Sequence, residues 1–212
     1  MKVTRERVAK NRQRILEVAG KLFREKGFNG VGVADIMNRA GLTHGGFYGH
    51  FASKDELAAQ ACEGAAAKNL APWTALAVDK SPDRFEAFVT GYLSPHHRDH
   101  PGSGCILAAL GAEAARQPDG VRAAFTAGMR SIAAMLTKIS PGRSAAARRE
   151  NALATLAGLV GALTLARAAD DPALSDEILN AALKTLSGKS NKASTSVHRE
   201  PMTKQPRNRK PR

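Results

Sequence analysis

Apolar residues recur at spacings of three and four along most of the chain, which is typical of helices that bury one face. The clearest case is residues 9–26, where Ile15, Val18, Leu22 and Phe23 share one stripe and Gly27 follows. Further helices are predicted over 33–39, 44–50, 53–75, 83–93, 103–116, 119–139, 144–169 and 173–187. Since no segment has the convincing alternation of a strand, the pattern predicts an all-α fold.

Charge divides the chain into three parts. Residues 1–54 carry 11 Lys/Arg against 4 Asp/Glu, residues 55–188 carry 13 against 14, and residues 189–212 carry 8 against 1. We therefore expect a basic N-terminal module, a near-neutral helical body and a basic tail that is disordered because it has almost no apolar residues. A basic module suits a polyanionic partner, although a merely solvated basic face has the same charge.

The cysteine content, the N-terminal sequence and the apolar segments narrow the class of protein further. The two cysteines, Cys62 and Cys105, form no disulfide framework and no zinc-binding spacing, so we expect reduced thiols and a cytoplasmic protein. The N-terminus lacks the apolar run of a signal peptide. The most apolar segment, within 144–169, is rich in Ala and Gly, and we interpret it as a buried helix rather than a membrane span.

Residues 41–51, GLTHGGFYGHF, contain four glycines, although glycine costs roughly 1 kcal/mol in a helix interior. A short helix, a glycine turn and a second short helix form a helix-turn-helix, whose second helix enters the major groove of DNA. Small residues there let the backbone approach phosphates and bases. Phe47 and Phe51 are expected to fill the core behind this helix, whereas Tyr48 and His50 point elsewhere.

Residues 14–57 resemble the N-terminal DNA-binding domain of the TetR/AcrR family of transcriptional regulators. The resemblance runs through the Gly-Phe, Asp-Ile, Ala-Gly-Leu-Thr, Phe-Tyr-x-His-Phe and Ser-Lys-x-Glu-Leu segments. One departure is Gly32, where the family commonly has Ser or Thr. The resemblance implies a three-helix DNA-binding domain at 1–54, joined by a long helix to an all-helical ligand-binding and dimerisation domain at 55–188, with the tail at 189–212.

The resemblance also implies DNA contacts. It assigns Thr43 to a phosphate, the start of the recognition helix to base edges, and Tyr48 to a phosphate or a thymine methyl. Arginines near the N-terminus add backbone contacts, unless they are simply solvated. The complete predicted set is Thr43, His44, Gly45, Tyr48, His50, Lys54, Arg5 and Arg12.

A symmetric homodimer on a palindromic operator is expected, because its two DNA-binding domains then contact two half-sites. The helices at 144–169 and 173–187 carry more apolar surface than one core needs, which fits the family's four-helix interface. A fully buried helix inside a monomer is the alternative.

The resemblance implies a small-molecule effector bound in the body. Cys105 lies near the predicted start of a helix, where the anionic thiolate is favoured, and some family branches with a similar segment sense electrophiles or oxidants through such a cysteine. A small buried thiol is the alternative. Trp73, Phe88 and Tyr92 are candidate pocket residues, as are Phe85, Phe125 and Met129. We predict no cofactor, and we interpret His96, His97 and His100 as an exposed loop rather than a metal site.

The sequence thus favours a DNA-binding transcriptional regulator, most simply a repressor released by a small molecule or by an electrophile or oxidant. A non-sensing architectural DNA-binding protein is the main alternative. A helical enzyme is disfavoured, because Glu113 and His100 form the only loosely plausible acid–base pair.

Overall fold

The computed structural model describes residues 5–78 and 81–187, and these are helical without any strand. Nine α-helices follow one another in this part of the chain, with 3-10 helices at His44–Gly49 and Pro101–Ser103. The α-helices are α1 (Arg5–Lys26), α2 (Val33–Arg39), α3 (Lys54–Val78), α4 (Arg84–Tyr92), α5 (Pro95–Asp99), α6 (Ile106–Ala114), α7 (Asp119–Ile139), α8 (Ala145–Ala168) and α9 (Pro172–Leu186). The predicted all-α fold is confirmed, whereas the tail at 189–212 lies outside the described residues.

The N-terminal head consists of α1, α2, the 3-10 helix at His44–Gly49 and the start of α3. Its chain turns at Gly27 and Gly41, whose φ angles of 77° and 69° are costly for residues with a Cβ. At the start of α3 the Ser53 hydroxyl accepts from the Glu56 backbone N–H at 3.1 Å, and Glu56 Oε2 accepts from the Ala52 backbone N–H at 2.7 Å. The core of the head is Ile15, Ala19, Leu22, Ile36, Met37, Phe47, Phe51 and Leu57.

The body is built around α3, which runs out of the head and packs along α7. This helix continues past Pro72 to Val78 and is therefore longer than predicted. On the other side of α7 lies α8, and α9 covers part of α8. The buried side chains of head and body form one continuous apolar cluster.

In the described part of the chain, hydrogen bonds join the head to the segment from Gly102 to Glu113 at two places. The Arg24 guanidinium of α1 donates to the Gly102 carbonyl through both Nε, at 3.0 Å, and Nη2. The Phe28 backbone N–H, just after α1, donates to Glu113 Oε2 at 2.9 Å. Glu113 therefore has a structural partner and does not pair with His100, whose Nδ1 lies 2.8 Å from the His96 carbonyl oxygen.

Two further predicted elements differ from the structure. The helix expected at 103–116 starts only at Ile106, because Gly104 and Cys105 are extended and are held by bonds from other elements. The loop expected around His96–His100 contains the short helix α5, which begins with Pro95 and is capped by the Ser94 hydroxyl.

Only one face of α8 is buried within the chain, which does not fit the alternative of a helix fully buried inside a monomer. Leu159 and Leu163 face the core, whereas Leu153 and Leu165 are exposed. Among the described helices, α8 alone is long and apolar enough to cross a membrane, a test that core helices of soluble proteins also pass.

Candidate nucleic-acid interface and ligand cavity

The 3-10 helix at His44–Gly49 presents Phe47 inward and an outer side that carries Tyr48 but is bare at Gly45 and Gly49. Phe47 and Phe51 are buried with ring centroids 5.8 Å apart, which pins the helix to the head. Tyr48 stands on the outer surface, 71% exposed, with its ring edge-on to Phe47. A Cβ built on Gly45 or Gly49 would meet no atom within 4 Å. The glycines therefore make no room for other parts of this chain, and they leave the outer backbone accessible.

The surroundings of this helix leave several donors available. Thr43 caps it only through the backbone, so its exposed hydroxyl makes no capping bond, and His44 is exposed beside it. His50 is half-buried, and its Nδ1 is a buried atom without a hydrogen-bond partner in the described part of the chain, so this nitrogen is not among the available donors. Arg5 is exposed at the first turn of α1.

Two of the predicted DNA-binding cations also hold the head together. Lys54 Nζ donates to the Phe28 carbonyl at 2.7 Å, which leaves two of its three donors. The Arg12 guanidinium stacks on the Phe51 ring at 4.6 Å and donates to Gln60 Oε1 at 2.6 Å. Arg12 therefore also supports the aromatic side chain behind the 3-10 helix. Arg14, which sequence reasoning missed, plays a similar role by donating to the Ala40 carbonyl at 3.2 Å.

Four predicted pocket residues, namely Trp73, Phe88, Tyr92 and Cys105, line one cavity of about 270 Å³. The indole of Trp73 lies edge-on to Phe88, with centroids 4.7 Å apart. It crosses α4 at Gly91, where a Cβ would lie 2.7 Å from the ring. The other candidates lie elsewhere: Phe85 is near the end of α9, and Phe125 and Met129 line a separate groove.

Cys105 sits in the cavity wall as the residue before α6, and His97 holds its backbone. The Cys105 N–H donates to His97 Nε2 at 2.8 Å, and His97 Nδ1 lies 2.7 Å from the Tyr92 carbonyl oxygen, to which it donates. These two bonds require the neutral imidazole. Burial also lowers the pKa of His97. His97 is thus a wall-building residue rather than part of an exposed loop.

Polar groups are buried around the Cys105 thiol. The Tyr92 hydroxyl lies beside it without a well-oriented hydrogen bond to any described residue, and burial raises the pKa of this phenol. Arg167 of α8 donates to the carbonyls of His97, at 2.6 Å, and Arg98, at 3.0 Å. Burial lowers the pKa of Arg167. Arg167 was missed because nothing in the spacing of α8 links it to a segment 70 residues earlier.

The second thiol has a different environment. Cys62 is buried inside α3, and burial raises its pKa to about 12, so the reactive thiolate is strongly disfavoured. Among residues 5–78 and 81–187, no group of three His, Cys, Asp or Glu side chains could hold a metal ion. The rings of His96 and His100 instead stack at 4.3 Å.

An exposed apolar face lies along α8 and α9. Leu165 of α8 is 61% exposed, and Leu174 of α9 is exposed as well. A Cβ on Gly161 would meet nothing within 4 Å, so another helix could approach α8 closely there. We refer to Gly161, Leu165 and Leu174 as the α8–α9 face.

The head is a helix-turn-helix with a bare outer helix, and it is fixed to a helical body that contains a cavity. This combination defines a DNA-binding regulator. Residues 15–61 match the family described as "Bacterial regulatory proteins, tetR family", and residues 81–182 match "Tetracyclin repressor-like, C-terminal domain". Together these matches cover most of the chain, which therefore belongs to the TetR family of transcriptional regulators. Proteins of this family are generally non-enzymatic.

Relatives agree with this assignment. The chain is 25% identical over 130 residues to the HTH-type transcriptional repressor NemR of Escherichia coli, covering 60% of this chain and 65% of NemR. It is 42% identical over 50 residues to the repressor KstR2 of Mycobacterium tuberculosis, covering 24% of this chain and 25% of KstR2. The match thus spans less than two thirds of each relative.

Solved structures show the same fold over more of the chain. The reduced form of E. coli NemR superposes with a TM-score of 0.71 at 24% identity, covering 84% of this chain and 95% of NemR. A TetR-family regulator from Agrobacterium tumefaciens gives a TM-score of 0.69 at 25% identity, covering 84% and 98%. The expected arrangement of an N-terminal helix-turn-helix and a helical C-terminal body is confirmed.

Proposed function

We propose that this TetR-family regulator is a cytoplasmic repressor that binds a palindromic operator as a homodimer and is released by a signal received at the Cys105 cavity. The observation that carries the proposal is the bare outer side of the 3-10 helix. Gly45 and Gly49 leave the backbone uncovered where Phe47 and Phe51 hold it rigidly from behind. A helix that is held in this way, and that has no Cβ at these two outward positions, can lie close to base edges.

The proposed contacts follow from position. His44 and Gly45, at the first turn, read base edges, and Tyr48 contacts a phosphate or a thymine methyl. Thr43 and His50 contact phosphates. Lys54 uses its two remaining donors on the DNA backbone, while Arg5 and Arg12 contribute charge from α1.

The proposed dimer uses the α8–α9 face. Leu165 and Leu174 supply apolar surface, and Gly161 permits close helix packing. The proposal requires an isologous contact across this face that sets both heads on one side of the dimer, as a palindromic operator demands.

The proposed signal is a small molecule that enters the cavity, or an electrophile or oxidant that modifies Cys105. Support comes from the convergence of Trp73, Phe88, Tyr92 and Cys105 on one cavity. It also comes from the relative NemR, a repressor whose solved structure is described as the reduced form.

One experiment tests both parts. Operator fragments are selected from random DNA with the full chain, and bound complexes are then treated with thiol oxidants, electrophiles or small apolar compounds. We expect the selected site to bind on the order of 10³-fold or more tightly than random DNA. Cys105→Ser is expected to abolish release by thiol-directed reagents, whereas Cys62→Ser, the matched control, is not. A Cys105→Ser protein that still responds fully would exclude the cysteine sensor.

The alternative, a non-sensing architectural DNA-binding protein, makes a different prediction. Such a protein would bind random DNA nearly as tightly as selected DNA, with affinity governed by salt. A salt titration on both DNAs distinguishes the two functions.

A further inference from the structure

A second concave site lies on the body, away from the Cys105 cavity. It is a groove of about 600 Å³ between α6, α7 and α8, which is within the usual size range of small-molecule sites. Its apolar surface includes two large side chains that are unusually exposed, Met129 at 43% and Leu153 at 47%. The other apolar members are Leu107, Phe125, Leu156 and Val160.

The charged side chains that line this groove are all positive. Arg122, Arg130 and Arg149 line it, and no acidic side chain does. Arg122 has one weak partner, Asp119 at 3.4 Å. Arg130 and Arg149 make no side-chain hydrogen bond or ion pair with the described residues. The groove therefore combines an apolar surface with guanidinium groups whose donors are available to an anion.

We propose that this groove binds an amphipathic anion, namely a long-chain carboxylate, as a ligand site separate from the Cys105 cavity. The hydrocarbon chain covers Met129 and Leu153. The carboxylate accepts hydrogen bonds from Arg130 or Arg149, because a guanidinium pairs with a carboxylate in a bidentate manner. The proposal does not depend on DNA binding, since the site belongs entirely to the body.

A second copy of this chain is a poorer occupant of the groove. In an isologous contact the same surface meets itself, so the three arginines would face three arginines with no acidic side chain between them. The α8–α9 face, in contrast, offers Leu165 and Leu174 to such a partner.

Gly111 provides a direct way to block the groove. It lines the groove from α6, and a Cβ there would meet nothing within 4 Å, so a leucine side chain can project into the space without a clash. The matched control is Ala112→Leu, which adds a side chain at the next, exposed position outside the groove lining.

The test is calorimetric titration of the full chain, free of DNA, with dodecanoate, dodecanol and acetate. We expect one dodecanoate per chain, with dodecanol and acetate each at least about tenfold weaker, because binding needs both parts of the ligand. Gly111→Leu should abolish binding, and Ala112→Leu should not. Arg130→Ala combined with Arg149→Ala should weaken dodecanoate at least tenfold and leave dodecanol unchanged, whereas Arg116→Ala, outside the groove, should change neither.

Several results would overturn the proposal. Dodecanoate that binds Gly111→Leu as tightly as the parent chain would place the site elsewhere. Absence of dodecanoate binding to the parent chain would exclude the ligand class. Dissociation of a dimer by Gly111→Leu, measured by sedimentation, would make the groove an interface between copies. None of these results affects operator selection, so the proposed function is tested separately.

Discussion

The glycine at position 45 allows a test in which stability and function move in opposite directions. Its φ is not among the positive values found at Gly27, Gly41 and Gly142, and an added Cβ would meet no atom within 4 Å. Gly45→Ala therefore removes freedom from the unfolded chain without introducing a clash in the folded one. We expect a gain of about 0.4–1 kcal/mol in the free energy of unfolding. For a chain of this size that raises Tm by roughly 1–4 °C.

DNA affinity should fall in the same variant. If the outer backbone of the 3-10 helix lies against base edges, the new methyl group occupies space needed by the DNA. We expect a cost of about 1–3 kcal/mol for each half-site, similar to that of one mismatched base pair. A dimer has two such heads, so the total loss is about 2–6 kcal/mol.

The control is Gly64→Ala in α3. An added Cβ at Gly64 also meets nothing within 4 Å, but this glycine is remote from the 3-10 helix. It should raise Tm by a comparable amount, since alanine is favoured over glycine by about 1 kcal/mol in a helix, and leave operator affinity unchanged. Fluorescence anisotropy on labelled operator at fixed salt and thermal unfolding, on the same preparations, give both quantities.

The refuting result is clear. A Gly45→Ala protein that is stabilised and still binds the selected operator as tightly as the parent chain would mean that this helix face does not approach DNA. The assignment of Gly45 as a base-reading position would then fail, together with the reason given for its glycine.

Three further predictions concern the body and its junctions. Burial raises the pKa of Cys62 to about 12 from 9.0, so the unfolded chain loses the thiol proton first and the free energy of unfolding falls as pH rises from 9 to 12. Urea unfolding at pH 8.5 and 10.5 should show a shallower fall for Cys62→Ala than for the parent chain, by up to about 1.4 kcal/mol per pH unit. Glu113→Ala leaves the Phe28 N–H without its acceptor and should cost roughly 1–2 kcal/mol by the same assay, whereas Glu113→Gln, which can still accept, should cost less than half of that; equal losses would contradict this role. Leu165→Glu should dissociate the proposed dimer in sedimentation experiments. It should leave Tm nearly unchanged at a concentration where the parent chain is monomeric, and an unaltered dimer would place the interface elsewhere.

Local patterns predicted much of this fold. The helices at 33–39 and 119–139 have the predicted bounds, because their apolar spacing, caps and flanking breakers agree. The burial of Phe47 and Phe51 followed from their spacing of four within a short element. Gly45, Gly46 and Gly49 predicted an outer face with little side-chain cover, although not that the element would be a 3-10 helix.

The segment from Pro95 to Cys105 could not be predicted in this way. Distant groups hold its backbone: Arg24 binds the Gly102 carbonyl within the 3-10 helix at Pro101–Ser103, and Asn69 binds the carbonyl of Gly104, which is extended. His97 and Arg167 are likewise placed by contacts far apart in sequence. Such tertiary hydrogen bonds have no periodicity, so pattern analysis favoured a longer helix here and an exposed histidine loop.

The bond from Arg24 to Gly102 has a consequence for communication through the molecule. Gly102 lies three residues before Cys105, so no more than about 11 Å of chain separates a carbonyl held by the head from a thiol in the cavity wall. A displacement of that wall by about one ångström is enough to stretch the guanidinium contacts beyond hydrogen-bonding distance. If the proposed signal acts at Cys105, its transmission to the head over such a short path would need neither domain rotation nor unfolding.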